Sequence, residues 1–500
     1  VIGMQKKLEV YFSFRRRINA YRYIEWLLEW DQATIAPKAS AKYRSEQIEV
    51  LSEELHKITS DPKYIKVVDE LYENLETIED TDLKREIKIA YRKSQVVKKV
   101  PKKEYIHYQV ILAQSTAIWA EAKEKDDFSI FAPILDEIVQ YNRKFVKYLQ
   151  TEELKGYSVL LDIYEEGATV QKYDEFFDTI KEELIPFVAQ VTKKNKFKFN
   201  KKLTKNVYPR HEQKQFSKYL TEVFGYDLSR GYLGESLHPF TSGVISDDVR
   251  ITTEYEENNF TANIFSTIHE MGHAIYDQQH DPKYNGTLLQ GGSSYGIHES
   301  QSRMYENMIG RSFSFWQLHY PKLMELFPKQ LKGIDVVEFY KFINQAKRSL
   351  RRTDADELTY SLHILVRYEI EKMLFEGSLK VRDIPKKWRQ LMQMYVGKRP
   401  LKDADGALQD IHWANGLFGY FPTYALGSAY AAQIYHAMNE EINVDSAIEN
   451  NNIRLINAWL KENIHQYGNS KTPEELILNA TKEPFNVHYY IDYLKRKFGD

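Results

Sequence analysis

Between Leu8 and about Gln150, apolar and aromatic residues recur at three- and four-residue steps, as in Tyr21, Ile24, Leu27 and Leu28, and that period lays an apolar stripe along successive helices. Helices striped in this way must pack on one another. Only 22 glycines and 15 prolines punctuate the 500 residues, below the usual shares of about 7% and about 5%, which predicts long uninterrupted helices. Breaks are expected at Ala36-Pro37, at Ser60-Asp61-Pro62, at Val100-Pro101 and near Ala132-Pro133, because a proline opens a helix more readily than it continues one. A further helical pair is expected between Gly156 and Val191. From Leu237 to Thr253 the run Thr241-Ser242-Gly243-Val244-Ile245 points to a loop and one or two short strands. There is no internal repeat and no low-complexity tract. The fold class these patterns predict is all-α, with a very small β element.

Lysine and arginine number 69 against 71 aspartates and glutamates, a formal charge of -2. That balance gives no reason to expect a nucleic-acid or anionic-membrane partner. Lys193 to Lys205 holds seven lysines with Phe197 and Phe199 between them; a basic, aromatic nucleic-acid patch is one reading, and a short exposed strand or loop is the preferred one. No stretch approaches 18 consecutive apolar residues, and Val1 to Lys7 lacks the apolar core of a secretory signal. A cytoplasmic protein is the expectation. There is no cysteine, so disulfides, thiolate ligands and a cysteine nucleophile are excluded and any metal falls to histidine and carboxylate. The 36 tyrosines suit the wet lining of a large cleft, although partly buried helix faces account for most of them.

Residues 269 to 273 read His-Glu-Met-Gly-His. On a helix, positions four apart share a face, so His269 and His273 can bind one metal while Glu270 stands beside them as a base for the attacking water. Asn258-Asn259 offers an N-cap and Asp281-Pro282 a stop, with the helix running to about Gln279. Two histidines hydrogen-bonded on a helix surface are the bland alternative. The extended HExxHxxGxxH form fails, because Tyr276 and Gln279 occupy its glycine and histidine positions and His280 is one residue out of register. Downstream, His298-Glu299-Ser300-Gln301 follows Gly291-Gly292 and Gly296 and opens a helical run through Arg303, Tyr305 and Asn307. Twenty-five residues separate His273 from Glu299, enough for a turn and an antiparallel helix, so Glu299 is the expected third ligand. A His2Glu set with an open position is catalytic rather than structural. Asp277, one turn further along, is either an acceptor for the second ring N–H of a ligand histidine or a surface carboxylate; His298 is either a supporting group or a polar helix start.

Several motifs in order then resemble the carboxypeptidase Taq (M32) family of metallocarboxypeptidases over nearly the whole chain. They are Trp30-Asp31-Gln32, His238-Pro239-Phe240, Asp248-Val249-Arg250-Ile251-Thr252, His269 to His273, His298 to Gln301, and Gly406-Ala407-Leu408-Gln409-Asp410-Ile411-His412-Trp413. Residues 351 to 356, Arg-Arg-Thr-Asp-Ala-Asp, are similar to the family's IRxxAD, with Arg351 in place of isoleucine. The resemblance implies a saddle-like helical homodimer with a deep groove and a gluzincin-type HExxH helix. It also implies one unit spanning residues 1–500, in which 1–235 forms one groove wall and 236–500 carries the metal and substrate motifs.

The activity implied is removal of single residues from peptides with a free C-terminus, with one Zn2+ per subunit and Co2+ or Mn2+ as substitutes. Arg352 is implied as the partner of the substrate carboxylate, which suits a guanidinium fork. Arg351 is the fallback, and a structural salt bridge to Asp354 or Asp356 is the alternative for either. His412, Tyr420 and Tyr424 are candidates for binding substrate or the developing oxyanion, Tyr420 first. His238 and Arg250 match motif positions and are expected to shape the site. An oligopeptidase or dipeptidyl carboxypeptidase is the competing enzyme reading, and a metal-stabilised peptide-binding protein the non-enzyme one.

Overall fold

The computed structural model describes residues 2–194 and 201–499. The N-terminal part runs through α1 (Ile2–Ala33), α2 (Ala41–Thr59), α3 (Pro62–Glu73), α4 (Thr81–Lys99), α5 (Lys102–Glu124), α6 (Phe128–Leu149), α7 (Ser158–Tyr164), α8 (Val170–Lys194), α9 (Lys202–Lys205) and α10 (Arg210–Phe224). Three strands follow: β1 (Gly231–Glu235), β2 (Thr241–Ile245) and β3 (Asp248–Thr253). The chain then continues as α11 (Phe260–Gln278), α12 (Tyr295–Arg303), α13 (Phe313–Leu326), α14 (Val336–Ile343), α15 (Tyr360–Glu376) and α16 (Ile384–Leu391). It ends in α17 (Pro422–Glu441), α18 (Val444–Glu449), α19 (Ile453–Asn463), α20 (Pro473–Thr481) and α21 (His488–Phe498). Among the described residues, none of the helices is long and apolar enough to cross a membrane.

Most helix boundaries follow local chemistry. Asp61 accepts from the Lys63 N–H at 2.8 Å with Pro62 in the first helical position, and Pro101 immediately precedes α5. The break expected near Ala132-Pro133 is absent, and α6 runs straight through Pro133. Its true start lies at Asp126, with φ +54°, and at Asp127, which accepts from the Ser129 N–H at 2.9 Å. The hydrogen bond that Pro133 forfeits would have reached the carbonyl of exposed Ser129, where water can serve instead. In the lysine-rich segment, residues 195–200 lie outside the described residues, so the expected strand or loop is not described there; its flanks are the end of α8 and the short α9.

Among the described residues the apolar core falls into one large cluster, a smaller one, and a minor group of Ile89, Tyr284 and Leu289. The smaller one joins α1, α3 and α4 through Tyr11, Phe14, Ile18, Val68, Leu71 and Ile87. The large one runs from Val100 to Phe498 and includes the inner faces of α11, α15 and α17; each fully buried leucine or phenylalanine there contributes about 1.5–3 kcal/mol.

The sheet has the order β1-β3-β2, with β1 parallel and β2 antiparallel to β3. β1 was not expected, since Gly-Tyr-Leu-Gly-Glu lacks alternation and gains its strand form only by pairing with β3. α1 crosses the sheet, with the Trp30 ring 5.4 Å from that of Phe240. The Thr253 hydroxyl at the end of β3 meets the Asn263 amide at 2.9 Å and the Thr267 hydroxyl at 3.1 Å, which fixes the sheet to α11.

Candidate active site

α11 carries His269 and His273 on one face, and α12 runs beside it closely enough for Glu299 to reach both. Two glycines permit that approach. A Cβ on Gly272, inside the HExxH run, would stand 2.6 Å from the Ser302 Cα, and one on Gly427 of α17 would stand 2.7 Å from the Glu299 Cβ; α12 is thus held between two helices at near-contact backbone distance. Glu299 Oε2 lies 3.8 Å from His269 Nε2 and 3.5 Å from His273 Nε2. Ligands at about 2.0–2.1 Å from a tetrahedral ion stand roughly 3.4 Å apart, so the triad fits a divalent metal with little adjustment.

The outer atoms of the triad fix which atoms face inward. His269 Nδ1 meets Glu306 Oε2 at 2.8 Å, and His273 Nδ1 meets His298 Nδ1 at 2.6 Å. With Nε2 free to ligate, each ring carries its proton on Nδ1 and donates it outward. His298 then places its own proton on Nε2, 2.9 Å from Asp277 Oδ1. Of the two readings weighed for Asp277, neither is what the fold makes: it is buried rather than a surface carboxylate, and it meets His298 rather than a ligand histidine, acting on His273 through that ring. Arg303 Nε donates to Glu299 Oε1 at 2.7 Å. Burial alone would raise the Glu299 carboxyl, but Arg303 and the histidines outweigh it and hold it well below the carboxylate range.

Glu270 is buried, and its Oε2 accepts from the Thr241 hydroxyl at 2.6 Å; the same hydroxyl also reaches the Glu270 carbonyl at 3.0 Å. The small sheet therefore orients this carboxylate, since Thr241 opens β2. Glu306 was missed in the sequence. The steps from Glu299 to Arg303 to Glu306, of four and three residues, are the helical signal that marks it.

A second polar cluster joins the metal side through Tyr360, whose ring centre lies 4.2 Å from the Arg303 guanidinium. Arg352 donates to Asp410 Oδ1 through Nε at 3.1 Å and Nη2 at 2.9 Å, and to the Tyr360 hydroxyl through Nη1 at 3.1 Å. Arg367 grips Asp410 Oδ2 at 2.8 and 2.6 Å. Gln409 Oε1 accepts from the Arg352 backbone N–H and from Arg367 Nη2, both at 2.7 Å. Burial would raise Asp410, but the two arginines hold it well below the usual range.

Of the salt bridges weighed for the arginines, Arg351 to Asp354 is present at 2.8 Å on the exposed surface. Asp356 instead accepts the Lys347 and Thr359 N–H groups. His412 Nε2 stands 3.1 Å from the Tyr424 hydroxyl, and its Nδ1 is buried without a partner. Burial, with Arg352 adding to it, pushes His412 down to about 4, so the ring is neutral at pH 7. The Tyr420 and Tyr424 rings are 5.3 Å apart. Burial and the Glu299 charge push the Tyr420 hydroxyl up, which keeps it a donor.

His238 is exposed on the loop between β1 and β2. Arg250 is locked to Asp248 by two 2.7 Å bonds and lies 4.8 Å from the Trp26 ring centre and 5.5 Å from that of Trp30. Two further buried carboxylates escaped the sequence reading. Glu165 accepts from the Gly296 N–H at 2.9 Å, the Ser294 hydroxyl at 3.0 Å and the Tyr430 hydroxyl at 3.1 Å, which pins the start of α12. Glu371 accepts from Trp413 Nε1 and the Gly419 N–H at 2.8 Å each. Burial pushes both up to about 7. In sequence each is one acid among many, and nothing local marks it.

A triad of candidate metal ligands on a helical frame, with the Thr241-bonded carboxylate of Glu270 beside it and paired arginines in a neighbouring cluster, fits a metallopeptidase-like hydrolase. The family model described as Carboxypeptidase Taq (M32) metallopeptidase matches residues 11–498. Carboxypeptidase 1 of Bacillus subtilis (strain 168) is 42% identical over 491 residues, 98% of this chain and 97% of that protein. Among solved structures, Trypanosoma cruzi metallocarboxypeptidase 1 superposes with a TM-score of 0.95 at 31% identity, covering 99% of this chain and 100% of that one. The M32 carboxypeptidase from Deinococcus radiodurans R1 gives 0.93 at 31%, covering 99% of each. The chain belongs to the carboxypeptidase Taq (M32) family of metallopeptidases.

Proposed function

We propose that this chain is a zinc carboxypeptidase of broad specificity that removes single residues from the C-termini of peptides in the cytoplasm, acting as a homodimer. The observation that carries the reading is a charge imbalance. Arg352 and Arg367 share the single carboxylate of Asp410, so the cluster keeps one positive charge in a desolvated setting, beside Tyr424 and within electrostatic reach of the metal side. A peptide's terminal carboxylate is the natural complement.

Bound to His269, His273 and Glu299, zinc would supply Lewis acidity toward the scissile carbonyl and acidify water at the site. Glu270, oriented by Thr241, takes the proton of the attacking water and delivers it to the leaving amine. Tyr420 donates to the developing oxyanion. Arg352 holds the carboxylate of the departing residue, and neutral His412 keeps Tyr424 in place beside it.

The test is a peptide pool digested with and without chelator and read by mass. Stepwise loss of single C-terminal residues, abolished by chelation, is expected. Amidated peptides should resist, whereas an oligopeptidase would cut them as readily as free ones. Elemental analysis of the purified chain and sedimentation check zinc and the dimer.

A further inference from the structure

α1, α3 and α4 enclose a cavity of about 200 Å³ whose lining includes no residue of the metal triad or of the Arg352 cluster. Three basic side chains, Arg15, Arg22 and Lys93, stand on its wall with Tyr11 and Tyr64. Glu86, the partner of Arg15, is already bonded on both oxygens: to the Tyr11 hydroxyl at 3.1 Å, to Arg15 Nη1 at 2.8 Å and to the Leu288 N–H at 3.3 Å. Among the described residues, Arg22 and Lys93 make neither an ion pair nor a hydrogen bond. Glu25 acts on Arg22 only from beyond ion-pair distance, and the Ser52 hydroxyl binds it.

Two uncompensated cations in one cavity repel each other and lose solvation together, an arrangement that a fold retains at a cost unless an anion joins them. Lys93 is an exposed residue whose amine lies on the cavity wall within electrostatic reach of Arg22. Desolvation, with the Arg22 charge adding to it, pushes that amine down to about 8. The Tyr64 hydroxyl lies within electrostatic reach of Arg22 and adds a donor. The volume suits one tetrahedral oxyanion with its waters.

We propose that this cavity binds a small doubly charged oxyanion of the phosphate type, gripped by the Arg22 fork and the Lys93 amine. The occupant would also brace the segment between α11 and α12. Asn19 and Leu288 both line the cavity, and Asn19 donates to the Gly286 carbonyl while the Leu288 N–H is held by Glu86.

The test is calorimetric titration of the full-length chain with inorganic phosphate and, separately, with glycerol phosphate, at constant ionic strength. Saturable binding is expected for at least one of them, and the tighter of the two identifies free phosphate or a phosphomonoester as the source. Arg22→Gln and Lys93→Gln should each weaken it about tenfold or more, as expected for loss of a charge-assisted contact. Lys93→Gln alters a partly exposed residue and so remains informative if Arg22→Gln misfolds. Chain stripped of metal should bind equally well. No saturable binding, unchanged affinity in Lys93→Gln, or loss of binding on metal removal would each overturn the assignment.

Discussion

The metal triad and the arginine cluster are both largely shielded from solvent, with Glu299 and Arg367 buried and the two histidines and Arg352 half-buried, yet they are assembled in opposite ways. The metal side comes mainly from one stretch, His269 to Glu306: helical spacing sets His269 beside His273 and Glu299 beside Arg303, and the His269–Glu306 and His273–His298 contacts join α11 to the run that follows it, 37 and 25 residues on. The arginine side draws Arg352, Tyr360, Arg367, Gln409 and Asp410 from separate elements, and its ion pairs span 43 and 58 residues. Their charge balance differs as well. Acid predominates around the histidines, with Glu270, Glu299, Glu306 and Asp277 close by, while two guanidiniums share one carboxylate on the other side. A local motif can thus gather a set of candidate metal ligands, whereas a cluster that keeps surplus positive charge away from solvent needs support from across the fold.

Glu270→Gln should have the largest effect, a fall in kcat of about 10²–10⁴ at unchanged metal content, the range for a general base; undiminished turnover in a steady-state assay would remove Glu270 from its role. Asp410→Asn strikes the non-local side and leaves two guanidiniums without their anion. A loss of about 3–5 kcal/mol in urea unfolding is expected, where cutting a metal-side pair of similar distance should destabilise less. Arg352→Gln should raise KM for free-acid peptides by about 10- to 100-fold, corresponding to a hydrogen bond to a charged group worth about 1.5–3 kcal/mol. Arg352→Lys should restore only part, since it keeps the charge but not the fork. Glu306→Gln should weaken metal affinity about 10- to 100-fold in chelator competition by freeing the His269 ring, with Arg352-dependent KM unmoved.

The smallest effect concerns pH. Glu371 holds Trp413 and Gly419 in the arginine-side segment, and its folded pKa is raised from 4.5 to about 7. The stability linked to it is fully present below 4.5 and is lost as pH rises through about 7. Whatever absolute stability Glu371→Gln forfeits, its unfolding free energy should lose the part of that pH slope worth up to about one proton. Identical slopes in wild type and variant would show that folding does not raise the Glu371 pKa.

What could be read in the chain beforehand follows the same division. The helix period announced the all-α frame, Asn259 and Asp281-Pro282 bounded α11, and the HExxH spacing placed two imidazoles and a carboxylate on one turn. Pro133 misled because local propensity does not reveal which carbonyl is solvated, and β1 was invisible because its strand form depends on β3. Arg352 carried no local sign that Asp410 rather than Asp356 would be its partner.

By itself, then, the sequence determined most of what depends on separations of a turn or two: the majority of helix limits, and His269, Glu270 and His273 on one turn of α11. Only the tertiary structure decided how those groups are tuned. Thr241 reaches Glu270 from β2, His298 joins His273 to Asp277, and Gly272 and Gly427 let α12 lie between α11 and α17. Glu165 and Glu371 acquire raised pKa values simply by being buried. The physical reason is that spacing along a helix is fixed by the backbone, while desolvation and long-range pairing exist only after the helices have closed around one another.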